Sequence, residues 1–153
     1  MIDTPQIVQT EAQPMASLHL TVPREKIQTA MGPGIREVME AVAAQGLKPS
    51  GPWFTHHFKR PDTEFDFEIC VPVDGTFVDG ERVKAGEWPA MKVIRTVYHG
   101  GYEGLGAAWG EFVSWVDASG HTPAKDLWER YLVGPEAGPD SSKWVTEMNR
   151  PLA

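Results

Sequence analysis

The segment Leu127–Val133 contains the side chain that is best suited to chemistry, the carboxylate of Glu129. Along a β-strand, successive side chains alternate between two faces, so Glu129 and Tyr131 share one face. A carboxylate in the middle of a β-rich segment is disfavoured unless it is exposed or paired, for example with Arg95 or Arg130. The alternatives are a solvated strand face and a ring-lined pocket, in which Glu129 attracts a cation or acts as a general base.

An earlier aromatic segment, Trp53–Phe58, offers a matching face. Aligning the two segments on their tryptophans matches Phe54 with Glu129 and places His56 two residues further on. We therefore expect Phe54 and His56 to face the same cleft as Glu129. A surface histidine is the simpler explanation of His56, and the sequence leaves both open.

Standard catalytic and metal-binding signatures are absent from the sequence: there is no G-x-S-x-G, P-loop, H-E-x-x-H or C-x-x-C. The single cysteine, Cys70, excludes an intramolecular disulfide and a multi-cysteine zinc site. Adjacent His56 and His57 point to opposite faces of a strand and cannot hold one metal together. The glycines at 100–106 fit a tight turn better than a phosphate loop, because Glu103 would repel an anion. We expect no metal and no cofactor.

Composition and charge narrow the class of protein. The chain has 153 residues, a net charge of −7 and no cluster of basic residues, so we expect no direct binding of nucleic acid. No run approaches the roughly 18 apolar residues of a membrane span. The first residues lack the basic and apolar regions of a signal peptide, so a cytoplasmic location is the default expectation. The 6 tryptophans are available as core or as walls of a pocket for flat or cationic ligands.

Two segments have the periodicity of amphipathic helices. One runs from about Pro33 to Gln45, with Pro33 in its first turn and a separate turn at Lys26–Met31 before a break at residues 32–34. The other runs from about Gly104 to Ala118. The β-rich segments are Met15–Val22, Trp53–Phe58, Phe65–Val73, Met91–Tyr98, Leu127–Val133 and Trp144–Arg150.

The order strand, helix, strand, strand occurs twice, and similar landmarks recur in both halves, such as the glycines Gly46 and Gly120 after the helices. We predict an α+β fold in a single domain over residues 1–153. Its two βαββ halves span about 5–74 and 89–153, and a linker spans about 75–88. Because one helix covers one face of its sheet, we expect both helices on one sheet face and a ligand cleft on the other.

Three motifs then follow in order: Val97–Leu105 (VYHGGYEGL), Trp128–Leu132 (WERYL) with Gly134 and Pro135 after it, and Trp144–Glu147 (WVTE) ending at 150–152 (RPL). Together with the repeat, they resemble the GyrI-like small-molecule-binding superfamily, which includes the effector-binding domains of AraC-type and MerR-type regulators. The resemblance covers nearly the whole chain. It implies two SHS2-like halves related by pseudo-two-fold symmetry, in a stand-alone form without an attached DNA-binding domain.

The resemblance also implies a role for each candidate residue. Glu129, with Tyr131 two residues on, matches the central glutamate that holds lipophilic cations among aromatic rings in multidrug-binding members. Trp144 falls where an aromatic wall residue is expected. The candidate ligand-binding residues are Glu129, Tyr131, Trp144, Phe54, His56 and Tyr98.

Three functions stay open at this point. The first, which we favour, is a module that binds a small aromatic or lipophilic cation. It would act as a sensor, a sequestering protein or the partner of a separate transcription regulator, as a monomer or dimer. The second is a hydrolase of cyclopropane-bearing or other electrophilic cytotoxins, in which Glu129 activates water and Tyr131 or His56 donates a proton. The third is a protein-interaction inhibitor of the gyrase-inhibitory type.

Overall fold

The computed structural model describes residues 2–60 and 63–153. They form two compact units: unit 1 comprises residues 2–10 and 91–153, and unit 2 comprises residues 11–60 and 63–90. Each unit combines an antiparallel sheet with an α-helix, which confirms the predicted α+β class. The elements are β1 (Gln6–Gln9), β2 (Gln13–Pro23), α1 (Ile27–Ala44), β3 (Phe54–His57), β4 (Glu64–Pro72), β5 (Val83–Trp88), β6 (Lys92–His99), α2 (Leu105–Ser119), β7 (Leu127–Val133) and β8 (Val145–Pro151).

The sheet of unit 2 has the strand order β3-β4-β2-β5, and all neighbouring strands are antiparallel. On the central strand β2, Leu18 is in register with Ile69 of β4 and with Val83 of β5. These three side chains are buried together with Val38 and Val42 of α1. The core of unit 2 therefore lies between α1 and one face of its sheet.

Helix α1 begins at Ile27, well before the predicted start at Pro33. The predicted break at residues 32–34 is wrong, because the helix continues through Pro33. Proline in a helix interior lacks one backbone N–H and costs about 3 kcal/mol. Ile27, Met31 and Ile35 lie at successive fourth positions and pack against the core of unit 2, and this packing offsets the cost.

The glycine at position 34 explains the unusual Gly-Pro-Gly sequence within α1. A Cβ atom on Gly34 would lie 2.5 Å from Cδ1 of Ile69 and 3.4 Å from Cδ1 of Leu20, whereas a Cβ atom on Gly32 would meet nothing within 4 Å. A side chain at position 34 would have to displace the end of the buried Ile69 side chain, so Gly34 allows the close approach of α1 to its sheet.

The sheet of unit 1 has the strand order β1-β6-β8-β7, again with all neighbours antiparallel. Helix α2 ends as predicted at Gly120, which adopts a left-handed conformation with φ of 80°. Phe112 and Val116 of α2 are buried with Ile94 of β6 and Met148 of β8. The core of unit 1 therefore lies between α2 and one face of its sheet.

Two strands lie outside the elements expected from the sequence. Strand β1 pairs with β6, and β5 occupies part of the predicted linker at 75–88, where it pairs with β2. The βαββ repeat, its symmetry and the boundaries of the halves remain predictions. No helix in the described part of the chain is long and apolar enough to cross a membrane.

Candidate functional site

Glu129 lies on β7 of unit 1 and is only 7% exposed. Its Oε2 atom accepts a hydrogen bond from Nε1 of Trp109 on α2, and its Oε1 atom accepts one from the hydroxyl of Tyr131, both at 2.5 Å. The contact confirms that Glu129 and Tyr131 share one face of β7. The alternative of a solvated strand face is wrong, because the carboxylate is buried.

The side chain of Glu129 points to the helix-bearing face of the unit 1 sheet. Glu129 is in register with Met148, which packs with Phe112 of α2 in the core. The expectation that Glu129 would face a cleft on the helix-free side is therefore wrong, because the indole of Trp109 reaches the carboxylate from α2.

The two arginines considered as partners of Glu129 contact a different carboxylate. Nη2 of Arg130 lies 2.8 Å from Oε1 of Glu147, and Nε of Arg95 lies 3.3 Å from the same atom. The indole N–H and phenol O–H that reach Glu129 are neutral donors. Each oxygen atom of Glu129 therefore accepts one of these hydrogen bonds.

A cluster of three aromatic rings extends from Tyr131. The ring of Tyr102 contacts Tyr131 edge-to-face at a centroid distance of 6.0 Å, and it contacts Trp144 at 4.9 Å. The indole N–H of Trp144 donates to the carbonyl of Gly138 at 3.2 Å, which fixes the ring. A Cβ atom on Gly134 would lie 2.7 Å from the Tyr102 hydroxyl, so a larger residue there would require the Tyr102 ring to shift. The structure thus brings Tyr131 and Trp144 together through Tyr102, a residue that the sequence did not single out.

The electrostatic field at this ring cluster is negative. Burial, followed by the charges of Glu136 and Glu129, raises the pKa of Tyr102 to about 12. Glu136 is held in place because its Oε1 atom accepts the backbone N–H of Gly134 at 3.0 Å. A positive charge against Tyr102 would be stabilised by the same two carboxylates and by the ring faces.

Tyr98 belongs to the core of unit 1 and is 6% exposed. Its hydroxyl donates to the carbonyl of Gly101 at 2.7 Å. A Cβ atom on Gly100 would lie 2.8 Å from that hydroxyl, so the glycine-rich turn makes room for the ring. Core packing and this hydrogen bond account for Tyr98, and its contact with a ligand remains a prediction.

Phe54 and His56 lie on β3 of unit 2. Phe54 is buried and its ring meets Trp88 at a centroid distance of 5.0 Å. Nδ1 of His56 lies 3.1 Å from Oε1 of Glu68, and the His56 ring contacts Phe58 edge-to-face at 4.9 Å. The assignment of Phe54 and His56 to the ligand site remains a prediction.

The residue types that bind metals do not form a second centre in the described residues. No group of three or more His, Cys, Asp or Glu side chains in residues 2–60 and 63–153 is positioned to hold a metal ion. Cys70 is buried, and burial together with the charge of Glu68 raises the pKa of its thiol well above the usual value. A thiol in this environment is a poor nucleophile.

The fold is similar to several solved structures. It matches the EcmrR C-terminal domain with a TM-score of 0.86 and 22% identity, covering 98% of this chain and 97% of that domain. In the cryo-EM structure of an EcmrR–DNA complex, it matches with the same TM-score of 0.86 and 22% identity over 97% of this chain, but spans only 57% of that EcmrR chain.

Two other solved proteins share the fold at lower identity. SAV2435 bound to tetraphenylphosphonium matches with a TM-score of 0.69 and 14% identity, over 99% of this chain and 94% of that one. A hydrolase from Listeria innocua matches with a TM-score of 0.64 and 12% identity, over 97% and 91%. No curated protein sequence matches the chain. The model of the GyrI-like small molecule binding domain matches residues 3–153, and the protein therefore belongs to this family of small-molecule-binding domains.

Proposed function

We propose that this domain binds a flat or lipophilic organic cation next to Glu129, with Tyr131, Tyr102 and Trp144 as the aromatic contacts. One observation carries the proposal: the buried carboxylate of Glu129 accepts hydrogen bonds from Trp109 and from Tyr131, whose ring begins the aromatic cluster. These donors hold the carboxylate in one orientation at the edge of that cluster.

The ring cluster favours a cation over a neutral or anionic ligand. Glu136 and Glu129 together act on Tyr102, so a ligand at this ring meets two negative charges. A cation over an aromatic face gains about 0.5–2 kcal/mol, more where water is excluded. An anion in the same place would be repelled by both carboxylates.

The relatives support the same chemical class. SAV2435 was solved with tetraphenylphosphonium, a lipophilic aromatic cation. The EcmrR domain belongs to a protein that was also solved on DNA, which supports a sensing role for this fold. We infer that the chain acts as a sensor or sequestering module, or as the partner of a regulator, and that binding of the cation is its primary event.

A thermal-shift titration with tetraphenylphosphonium tests the proposal. A ligand that binds only the native protein stabilises it by about 1.4 kcal/mol at ten times its Kd. We expect the unfolding midpoint to rise with ligand concentration, and triphenylphosphine oxide, a neutral analogue of similar shape, to have a much smaller effect. Equal shifts for the two compounds, or no shift for either, would contradict a cation site.

A second candidate function, hydrolysis, is favoured by the contact between Tyr131 and Glu129. The carboxylate would take a proton from water while the water oxygen bonds to an electrophilic ring carbon. The strained carbon–carbon bond of a cyclopropane breaks, Tyr131 gives a proton to the leaving carbon, and Glu129 returns the proton it took to Tyr131 through their hydrogen bond. The product is the substrate plus one water, which mass spectrometry detects; a Glu129→Gln variant should form none. If the parent protein leaves the substrate unchanged, the hydrolase proposal is wrong and only the proposal of ligand binding stands.

A further inference from the structure

The face of the unit 1 sheet opposite α2 carries a charged network that the cation site does not use. Nε of Arg95 donates to Oδ1 of Asn149 at 2.6 Å and lies 3.3 Å from Oε1 of Glu147. Nε and Nη2 of Arg130 donate to that same oxygen at 3.1 and 2.8 Å, and Nδ2 of Asn149 also donates to it at 3.1 Å. One carboxylate oxygen therefore serves three side chains.

Two guanidinium groups crowd one carboxylate in this network. Arg95 and Arg130 both lie within 3.3 Å of Oε1 of Glu147. Glu147 is 6% exposed and Asn149 is fully buried, so water screens these charges poorly at the inner end of the Arg95 side chain. Burial lowers the pKa of Arg95; Glu147 raises it and the nearby Arg130 charge lowers it again.

Arg95 also keeps hydrogen-bonding capacity that the protein does not use. In residues 2–60 and 63–153, no atom accepts a hydrogen bond from its two terminal nitrogens, since both of its close contacts are made by Nε. Its side chain is 23% exposed, so a small molecule can reach these nitrogens. Asn149 and Glu147 hold the Nε edge of the guanidinium group, which leaves the terminal fork as the part that a ligand can contact.

We propose that Arg95 and Arg130 form a binding site for a small oxyanion, a carboxylate or a phosphate, on this helix-free face. The planar fork of an arginine matches the paired oxygens of such groups and binds them with two parallel hydrogen bonds. The oxyanion accepts hydrogen bonds from the terminal nitrogens of Arg95, and the neighbouring Arg130 adds a second positive charge to the site. The site is separate from that of the cation, because Arg130 and Glu129 are neighbours on β7 and point to opposite faces.

The test uses the whole chain at constant ionic strength, with sodium acetate and sodium phosphate compared with sodium chloride. We expect acetate or phosphate to raise the unfolding midpoint above its value in chloride, and the better of the two identifies the ligand class. Arg95→Gln should weaken that anion at least about tenfold, as expected for loss of a charged hydrogen bond. Arg82→Gln is the matched control: Arg82 is exposed, lies in unit 2 and pairs with Glu37 at 3.0 Å.

A second variant, which should bind the anion more tightly than the parent does, makes the test more specific. Glu147→Gln removes the carboxylate that competes for both guanidinium groups, so it should tighten binding of the same anion. If Arg95→Gln does not fold, the Arg95 Nε–H signal of the parent protein gives the answer by NMR, since it should shift saturably with the anion and not with chloride. No difference between the anions, an unchanged Arg95→Gln, or weaker binding by Glu147→Gln would overturn the proposal.

Discussion

Replacing Glu129 by Gln perturbs the proposed cation site with the smallest change of shape. The indole N–H of Trp109 can only donate, so we expect the amide oxygen of Glu129→Gln to face it. The amide NH2 group then faces Tyr131, whose hydroxyl can accept instead of donate. Both hydrogen-bonding positions stay filled, and the variant should remain folded.

The magnitude follows from the charge alone. Tetraphenylphosphonium has no hydrogen-bond donor, so the term that is lost is the Coulomb attraction, roughly 2–3 kcal/mol for two unit charges about 6–8 Å apart at an effective dielectric constant of about 20. The cation should therefore bind the variant about 30- to 150-fold more weakly. The upper part of this range is expected, because Glu129 is 7% exposed and its field is poorly screened by water. Triphenylphosphine oxide should bind both proteins about equally, since its ring contacts do not depend on the charge.

Isothermal titration calorimetry measures both dissociation constants directly. Glu147→Gln is the matched control, because it removes an equally buried carboxylate from the opposite face of the same sheet. The control should bind tetraphenylphosphonium within a few-fold of the parent. If Glu129→Gln binds this cation as tightly as the parent does, Glu129 is a structural residue and the reasoning is refuted.

Three further predictions concern packing, ionisation and nucleic acid. Gly34→Ala should destabilise the protein by about 1–3 kcal/mol in urea unfolding, because its Cβ would lie 2.5 Å from Ile69, whereas Gly106→Ala, at an exposed position of α2 with nothing within 4 Å, should stabilise it by about 0.5–1 kcal/mol; equal effects would contradict the packing argument. Ultraviolet titration should resolve a phenol with a pKa of about 12 that Tyr102→Phe removes and Glu136→Gln lowers. Because folding raises this pKa from 10.0, the stability that depends on the neutral phenol should fall as pH rises from 10.0 toward about 12. Random duplex DNA should not shift in a gel at micromolar protein, given the net charge of −7, and a salt-dependent shift would refute this.

Helix and strand types could be predicted here wherever the chain repeats a clear apolar pattern. Strand β7 begins and ends where the sequence predicted, at Leu127 and Val133. Strand β5 was missed because Gly86 interrupts its pattern, and its pairing depends on the free edge of β2. The start of α1 was misplaced because the local effect of Pro33 was weighed without the tertiary packing that offsets it.

The candidate site was predictable only along one strand. Alternation places Glu129 and Tyr131 together, because that relation is fixed by strand geometry. Trp109 lies in the apolar stripe of α2. The sequence pattern there does not distinguish a tryptophan that only packs in the core from one that also donates a hydrogen bond to a carboxylate. Tyr102 and Glu136 come from short turns that only the tertiary structure brings near β7. The sequence also could not show which face of β7 is covered by α2. Neighbouring side chains on β7 point to opposite faces, and residues on both faces are buried.

The two proposed sites can be tested against each other, because they lie on opposite faces of strands β6, β8 and β7. Glu129 on β7 and Arg95 on β6 are separated by β8, so their backbones are about 9–10 Å apart at roughly 4.8 Å per strand, and their side chains point to opposite faces. Residues at this separation without shared partners have additive effects to within about 0.5 kcal/mol. Arg95→Gln should therefore leave the affinity for tetraphenylphosphonium within about threefold, and Glu129→Gln should do the same for the oxyanion. If calorimetry shows that either variant changes the affinity of the other site by more than this, the two sites are energetically coupled, and the assignment of two independent sites would fail.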